Sequence, residues 1–342
     1  MANEMKKAAP FGMKDKVGYM FGDFGNDFTF LLSSSFLMKF YTDVMGVNAA
    51  IVGMVMMIAR FVDAFTDVGM GQIVDHSKPT KDGKFRPWIK RMCGPVAIAS
   101  FLIYQSGLAG MPYGFKVAWL FITYILWGSI FYTSINIPYG SMASAVSADP
   151  KDRAELSTWR TIGSTLANMV IGVATPMVAY VVVDGKTVMS GSRMTIIAGV
   201  FSICAILCYI VCFKLTRERV EVPASSQKVS ASAIFKSIFT NRALLGIIVA
   251  AIFVLLSQLT VMSLAGYVYP NVYGSAAAQS TASLLGTVIM LIVCAPFASK
   301  LAAKFGKKEL AVASSICSAL VWLVCLIWRP ASVWGFVACY IL

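Results

Sequence analysis

Four aspartates carry the chemistry this sequence makes available. Asp63 and Asp67 lie in RFVDAFTDVGMG, from Arg60 to Gly71, and Asp23 and Asp27 lie in FGDFGNDF, from Phe21 to Phe28; each pair is spaced i, i+4 within a long apolar run. Helical geometry sets residues at that spacing on one face, about 5–6 Å apart at Cβ. Each pair is therefore a carboxylate face embedded among residues suited to hydrocarbon. A charge at the centre of a membrane helix costs at least about 2.5–3.5 kcal/mol on insertion scales, which makes an intramembrane acid pair a functional site by default. Such acids can ligate a hard cation through oxygen, take up a proton, or accept hydrogens from a polyol. Arg60, one turn before Asp63, offers the competing reading of a buried ion pair. One guanidinium cannot neutralise both acids, so that reading leaves one of them costly.

The elements that must position these acids follow from composition. Of 342 residues, 58% are hydrophobic and 13% charged, and the mean hydropathy is +0.74. Those values place the chain among all-α polytopic membrane proteins. Apolar stretches at 17–44, 48–74, 87–109, 115–146, 156–183, 194–213, 235–269, 279–299 and 309–328 predict nine complete transmembrane helices, most exceeding the ~20 residues a crossing needs. A tenth starts near 331, where only ASVWGFVACYIL remains. That is too short to cross, so a truncated form of a longer protein is expected. Of sixteen acidic residues, only Asp23, Asp27, Asp63 and Asp67 fall well within these stretches, and they occupy the first two.

A net charge of +13 would suggest nucleic acid in a soluble protein. Here most of the basic residues sit in alternate connections, among them Lys6, Lys7, Lys14 and Lys16, then Lys78, Lys81, Lys84, Arg86, Lys90 and Arg91, then Lys214, Arg217 and Arg219, then Lys300, Lys304, Lys307 and Lys308. This is the positive-inside pattern, with a cytoplasmic amino terminus and no nucleic-acid partner. The first apolar run continues into a full span, so no cleaved signal is expected. A weak repeat follows at six-helix separation: MGQIVDHSKPTKDGKFRPWIKR, beginning at Met70, and ASKLAAKFGKKEL, beginning at Ala298, are both basic turns after a second helix. The predicted organisation is an amino-terminal six-helix bundle over 1–214, a cytoplasmic linker over 215–233 and a partial carboxy-terminal bundle over 234–342.

Other chemistry is thin. Cys204, Cys208 and Cys212 form an i, i+4, i+8 stripe without His or acid, which reads as small packing residues. His76 lies in a polar loop, and Gly185-Lys186-Thr187 lacks the upstream glycine of a phosphate loop because that position is Tyr180. With no nucleophile beside a base and no zinc-binding His/Glu motif, an enzyme is not expected. Pro138 and Gly140 in the fourth span read either as a kink lining a cavity or as packing. Tyr267, Tyr269 and Tyr273 read as an interfacial belt at the outer end of the seventh span.

Gly71, Asp75, Gly83, Lys84 and Arg86 match, with an insertion, the first-turn motif of the major facilitator superfamily. The segments FGDFGNDF, RFVDAFTDVGMGQIVD, GKFRPW, YILWG, INIPYGSM and DPKDRAELSTWR, in that order through the amino-terminal half, resemble the glycoside-pentoside-hexuronide:cation symporters within it. The resemblance implies two six-helix bundles and cation-coupled symport of a sugar by alternating access. It implies a cation site of Asp63, Thr66, Asp67 and Thr133 for Na+, Li+ or H+, with no other cofactor. It makes Asp27 a sugar ligand and sets Asp23, Asn26, Asn136 and Arg160 around the substrate, Arg160 either touching sugar or pairing with an acid across the bundle. The chain departs from the family pattern where Thr66 replaces Asn, Asn136 replaces a second sugar-binding Asp and Gly140 replaces a stacking aromatic. Those departures put Na+ coupling in doubt and imply a different sugar. The expected setting is the bacterial cytoplasmic membrane, with lipid around a monomer. A channel, a scaffold or a non-transporting fragment is the alternative, but none of these requires carboxylate pairs.

Overall fold

A computed structural model describes residues 10–221, 239–294, 297, 301 and 304–341. Helix α1, Met13–Lys39, continues through a π-helical turn at Phe40–Val44; α2 is Ala49–His76, α3 is Arg86–Ile103 and α4 is Tyr113–Val146, with π-helical turns at Leu126–Tyr132. Then come α5, Pro150–Ala179, a hairpin of β1 (Tyr180–Val183) and β2 (Lys186–Met189), and α6, Gly191–Leu215. Helix α7 is Arg242–Tyr267, α8 is Ala276–Ile289, α9 is Lys307–Trp328 and α10 is Val333–Ile341. Side-chain caps start several of these: Asn48 accepts from Ala50 N at 2.8 Å, Asn241 from Leu244 N at 3.1 Å and Ser275 from Ala278 N at 3.2 Å.

Among the described residues, six helices are long and apolar enough to cross a membrane: Ala49–His76, Tyr113–Val146, Pro150–Ala179, Gly191–Leu215, Arg242–Val272 and Lys308–Trp328. The chain is thus a multi-pass helical membrane protein. Helices α1, α3 and α8 overlap predicted spans without meeting that criterion. The first two carry charges, including Asp15, Asp23 and Asp27 on α1 and Arg86, Lys90 and Arg91 on α3, and α8 has 14 residues.

The chain divides into two compact units, Met1–Ala167 with Gly191–Ile234, and Asn168–Ser190 with Phe235–Leu342. The boundary predicted from topology grouped 168–190 with the first bundle. Hydrogen bonds group them with the later helices: Ser280 donates to Val173 O at 2.9 Å, Tyr180 to Gly266 O at 3.1 Å and Thr187 to Gly274 O at 2.7 Å.

In the first unit, α1 packs closely on α6 through a small-residue stripe. A Cβ at Gly18 would meet Leu215 Cβ at 2.7 Å, one at Gly22 the Cys212 sulfur at 2.9 Å, and one at Gly25 both Cys208 Cβ at 2.8 Å and Ala205 O at 3.1 Å. Cys208 and Cys212 of the stripe read from sequence therefore face glycines. Gly25→Ala should lower stability by about 1–3 kcal/mol through overpacking against backbone. Gly140→Ala, where a Cβ meets nothing within 4 Å, should leave the melting temperature in detergent unchanged or slightly raised.

The residues of the first-turn motif and the start of the linker meet at the amino terminus of α3. Glu218, 8% exposed, accepts from the backbone N–H groups of Lys84 at 2.7 Å, Phe85 at 2.9 Å and Arg86 at 2.8 Å. These N–H groups lack partners inside their own helix, and the helix dipole favours an anion there. Gly83, at φ +107°, brings its Cα so near the carboxylate that a Cβ would lie 2.6 Å from both oxygens. Lys84 Nζ donates to the Asp75 carbonyl at 3.0 Å, and Arg86 holds Phe213 O at 2.6 Å. Arg219 bonds Asp15 at 2.9 Å, and its N–H reaches Ala145 O at 2.7 Å. Thus the first residues of the predicted linker are tied to α1, α3 and α4. The rest of the linker, from 222 to 233, lies outside the described residues, as does much of the second basic turn at 298–310.

In the second unit the belt reading of the tyrosines is corrected. Tyr269 is fully buried, with Phe336 and Tyr340 ring centroids at 5.3 and 5.9 Å, and Tyr273 donates to Pro330 O at 2.8 Å. These rings pack α7 against α10 and the turn before it. The hairpin departs from the predicted span over 156–183. Asp184 and Gly185 both have positive φ, 50° and 75°, between β-branched strands paired Val183↔Lys186 to Tyr180↔Met189, a two-residue Asp-Gly turn whose twist matches a hairpin.

Candidate functional site

Helix α2 presents Arg60, Asp63 and Asp67 to the π-helical part of α4. A single-turn π insertion shifts the register of side chains and is frequent at functional sites. Here Trp127, Gly128 and Tyr132 of that stretch, with Thr133 and Asn136 beyond it, form one wall of a pocket of about 80 Å³; Phe30, Arg60, Asp63 and Asp67 form the rest. Pro138, read either as a kink or as packing, lies inside an α-helix that runs from Thr133 to Val146, and the departure from α geometry comes earlier, at Leu126–Tyr132.

The acids are unequally satisfied. Arg60 Nη1 lies 2.9 Å from Asp63 Oδ2 and Nη2 donates to Tyr124 OH at 2.6 Å. Ser129 donates to the other Asp63 oxygen at 2.5 Å. Asp67 accepts from Thr133 at 2.7 Å and, among the described residues, has no cationic partner. The ion-pair reading of Arg60 therefore holds for Asp63 and stops there. Counting Asp63, Asp67 and Arg60, the pocket carries one uncompensated negative charge. Its volume accommodates a few waters or an ion. The buried indole N–H of Trp127 on the wall has no partner among the described residues, leaving a donor for water. Thr66 does not line the pocket; its hydroxyl donates to Val62 O and Asp63 O, both at 3.1 Å, along its own helix.

A second acid face lies on α1. Asp23, 5% exposed, pairs with Arg160 Nε of α5 at 2.9 Å, and Asp27, 7% exposed, accepts a hydrogen bond from Ser164, one turn further along α5. The Arg160 guanidinium also stands 5.4 Å from the Tyr139 ring centroid. Its side chain is 40% exposed, so the acid pairing does not use up its donors. Asn26 is buried between two tyrosines, donating to Tyr132 OH at 2.8 Å and accepting from Tyr209 OH at 3.1 Å. Asn136 lines the pocket of Asp63 and Asp67.

The structure thus joins Asp63, Asp67, Thr133 and Asn136 in one pocket, sets Asp23, Asp27 and Arg160 in a second cluster, and turns Thr66 onto its own backbone. Ser129, Ser164, Tyr124, Tyr132 and Tyr209 were not foreseen. One signal was available: Asp63/Asp67 matches Ser129/Thr133 and Asp23/Asp27 matches Arg160/Ser164, each an i, i+4 pair facing an i, i+4 pair.

Acid faces within a multi-pass helical bundle, one of them lining a small polar pocket, define an integral membrane protein that holds ionisable groups among its helices. Residues 18–342 match the family model described as MFS/sugar transport protein, and the chain belongs to that family, within the glycoside-pentoside-hexuronide:cation symporters of the major facilitator superfamily. It is 31% identical over 306 residues to an uncharacterized symporter, YjmB, of Bacillus subtilis, covering 88% of this chain and 64% of that protein. It is 31% identical over 299 residues to a glucuronide carrier protein homolog of Escherichia coli, covering 86% and 62%, and 33% identical over 228 residues to an isoprimeverose transporter of Lactiplantibacillus pentosus, covering 66% and 46%. The chain spans less than two thirds of the length of these relatives.

Proposed function

We propose that the protein is a secondary active transporter that couples a cation to the symport of a glycoside, pentoside or hexuronide by alternating access. Asp67 carries this reading: a carboxylate in an ion-sized pocket, next to an acid already paired with Arg60, gains most from a mobile positive charge. In this reading the cation neutralises the pocket, and the neutral pocket lets α1 and α4 close around a sugar held by Asp27, Asp23 and Arg160. The names of the relatives, a glucuronide carrier homolog and an isoprimeverose transporter among them, support the substrate class. The reading extends to two six-helix bundles, 1–214 and 234–342 joined by 215–233, with all nine apolar stretches crossing and α10 beginning a tenth. It also includes a monomer in the bacterial cytoplasmic membrane with the amino terminus inside, following the basic residues.

The test is counterflow of labelled sugar in proteoliposomes over a panel of hexosides, pentosides and hexuronides, with Na+, Li+ or pH gradients imposed in turn. Counterflow with accumulation under one gradient supports symport; a channel gives neither. By calorimetry on the purified protein, Asp27→Ala should lose sugar binding while cation binding survives. Retained sugar affinity would remove Asp27 from the substrate site.

A further inference from the structure

The cation pocket and the α1 acid face share one physical connection. Tyr132 closes the π-helical stretch of α4 and lines the pocket, its ring stacked on Phe30 at 5.6 Å and set against Trp127 at 5.6 Å. The next residue, Thr133, donates to Asp67. The Tyr132 hydroxyl accepts from Asn26 Nδ2, and Asn26 immediately precedes Asp27. Asn26 is 3% exposed, and its other end is held by Tyr209. With both ends of its amide engaged, Asn26 is fixed by the two rings, and any displacement of Tyr132 must either move it or break the bond.

Resting on the symport reading above, we propose that Tyr132 and Asn26 are the positioning residues through which cation and sugar affinity are coupled. A cation at Asp67 competes for the oxygen that Thr133 now holds, and a change in Thr133 carries its neighbour Tyr132 with it. The π-helical turns, with their poorer hydrogen-bond geometry, are the part of α4 best able to take up that shift. Tyr132 then moves the Asn26 amide relative to the Asp27 carboxylate one residue on. Linkage makes the effect reciprocal: sugar at Asp27 tightens the cation by the same factor. The charged and titratable groups around Asp67 are Arg60 and Asp63 on α2 and Tyr124 and Tyr132 on α4; α1 contributes Phe30 to the pocket wall.

The measurement is the coupling factor, the ratio of sugar affinities with and without the cation. It is read by calorimetry on the purified protein with the nitrophenyl glycosides of glucuronic acid, xylose and galactose, each with and without Na+ and at two pH values. Tyr132→Phe keeps both ring contacts and removes only the hydroxyl. Its coupling factor should fall at least about fivefold, toward one. Asn26→Leu should do the same, and Tyr209→Phe, which spares the Tyr132–Asn26 bond, should retain coupling. Unchanged coupling in Tyr132→Phe overturns the proposal, as does outright loss of either ligand, which would make Tyr132 a ligand or a purely structural residue. If the wild-type protein shows a factor of one with all three sugars, symport itself fails, and the relay fails with it.

Discussion

Asp67→Asn should abolish gradient-driven accumulation in proteoliposomes, with the internal-to-external sugar ratio falling to unity, while exchange of labelled sugar at equal concentrations continues. The substitution keeps size and hydrogen bonding to Thr133 but removes the one carboxylate in the pocket without a cationic partner, and with it the reason for a cation to enter. Asp63→Asn should also abolish accumulation, for a different reason. Losing that carboxylate leaves Arg60, bonded to Asp63 at 2.9 Å, as an unneutralised positive charge on the pocket wall, which repels an incoming ion. The double variant Arg60→Gln/Asp63→Asn restores the pocket's net charge and should regain part of the accumulation that Asp63→Asn loses, a non-additivity expected of groups in direct contact. Accumulation at wild-type ratios in Asp67→Asn would remove this pocket from coupling.

The second large effect concerns Arg160, whose two readings were left open by sequence. Arg160→Leu strands Asp23, whose side chain is 7% exposed, as an unpaired charge. Breaking a buried pair from one side costs about 3–5 kcal/mol, and the partial exposure of Arg160 sets the expectation near the lower end. The melting temperature should drop by several degrees, and Asp23→Leu in the same background should restore it, since removing both charges removes the desolvation penalty. Sugar binding discriminates the roles. If Arg160 only neutralises Asp23, Arg160→Lys, which keeps a positive charge beside Asp23, binds sugar normally; if the guanidinium touches sugar, Arg160→Lys keeps stability and loses binding. Contact with sugar is the expected result, because the guanidinium is held by Asp23 through Nε and remains partly exposed.

Much of this arrangement was legible because membrane helices announce themselves through apolar length and because charge is too costly there to be incidental. The i, i+4 pairs on α1 and α2 mark both acid clusters in the sequence. Thr133 entered through the family resemblance, but Ser129 and Ser164 could not be read: serines are common in apolar helices, and only the packing of α2 on α4 and α1 on α5 reveals that the four-residue spacings are in register. The π-helical stretch was hidden for a related reason: the composition of LWGSIFY does not distinguish an extra residue per turn from an ordinary helix, whereas Pro138 draws attention to itself and proves compatible with continuous α-helix. Tyr269 was misread because an aromatic at a helix end looks the same whether its neighbour is lipid headgroup or Phe336. The Asp184-Gly185 turn was readable by spacing alone.

The carboxylate of Glu218 at the start of α3 has a practical corollary for anyone dissecting the chain. A piece cut at Leu215, where α6 stops, would leave three main-chain amides facing water or nothing, together with a glycine turn shaped around an absent side chain. Extending the same piece by six residues, to Glu221, supplies the missing anion and the arginine that clasps Asp15. The natural place to divide this polypeptide is therefore not the end of a helix but a short way into the stretch that follows.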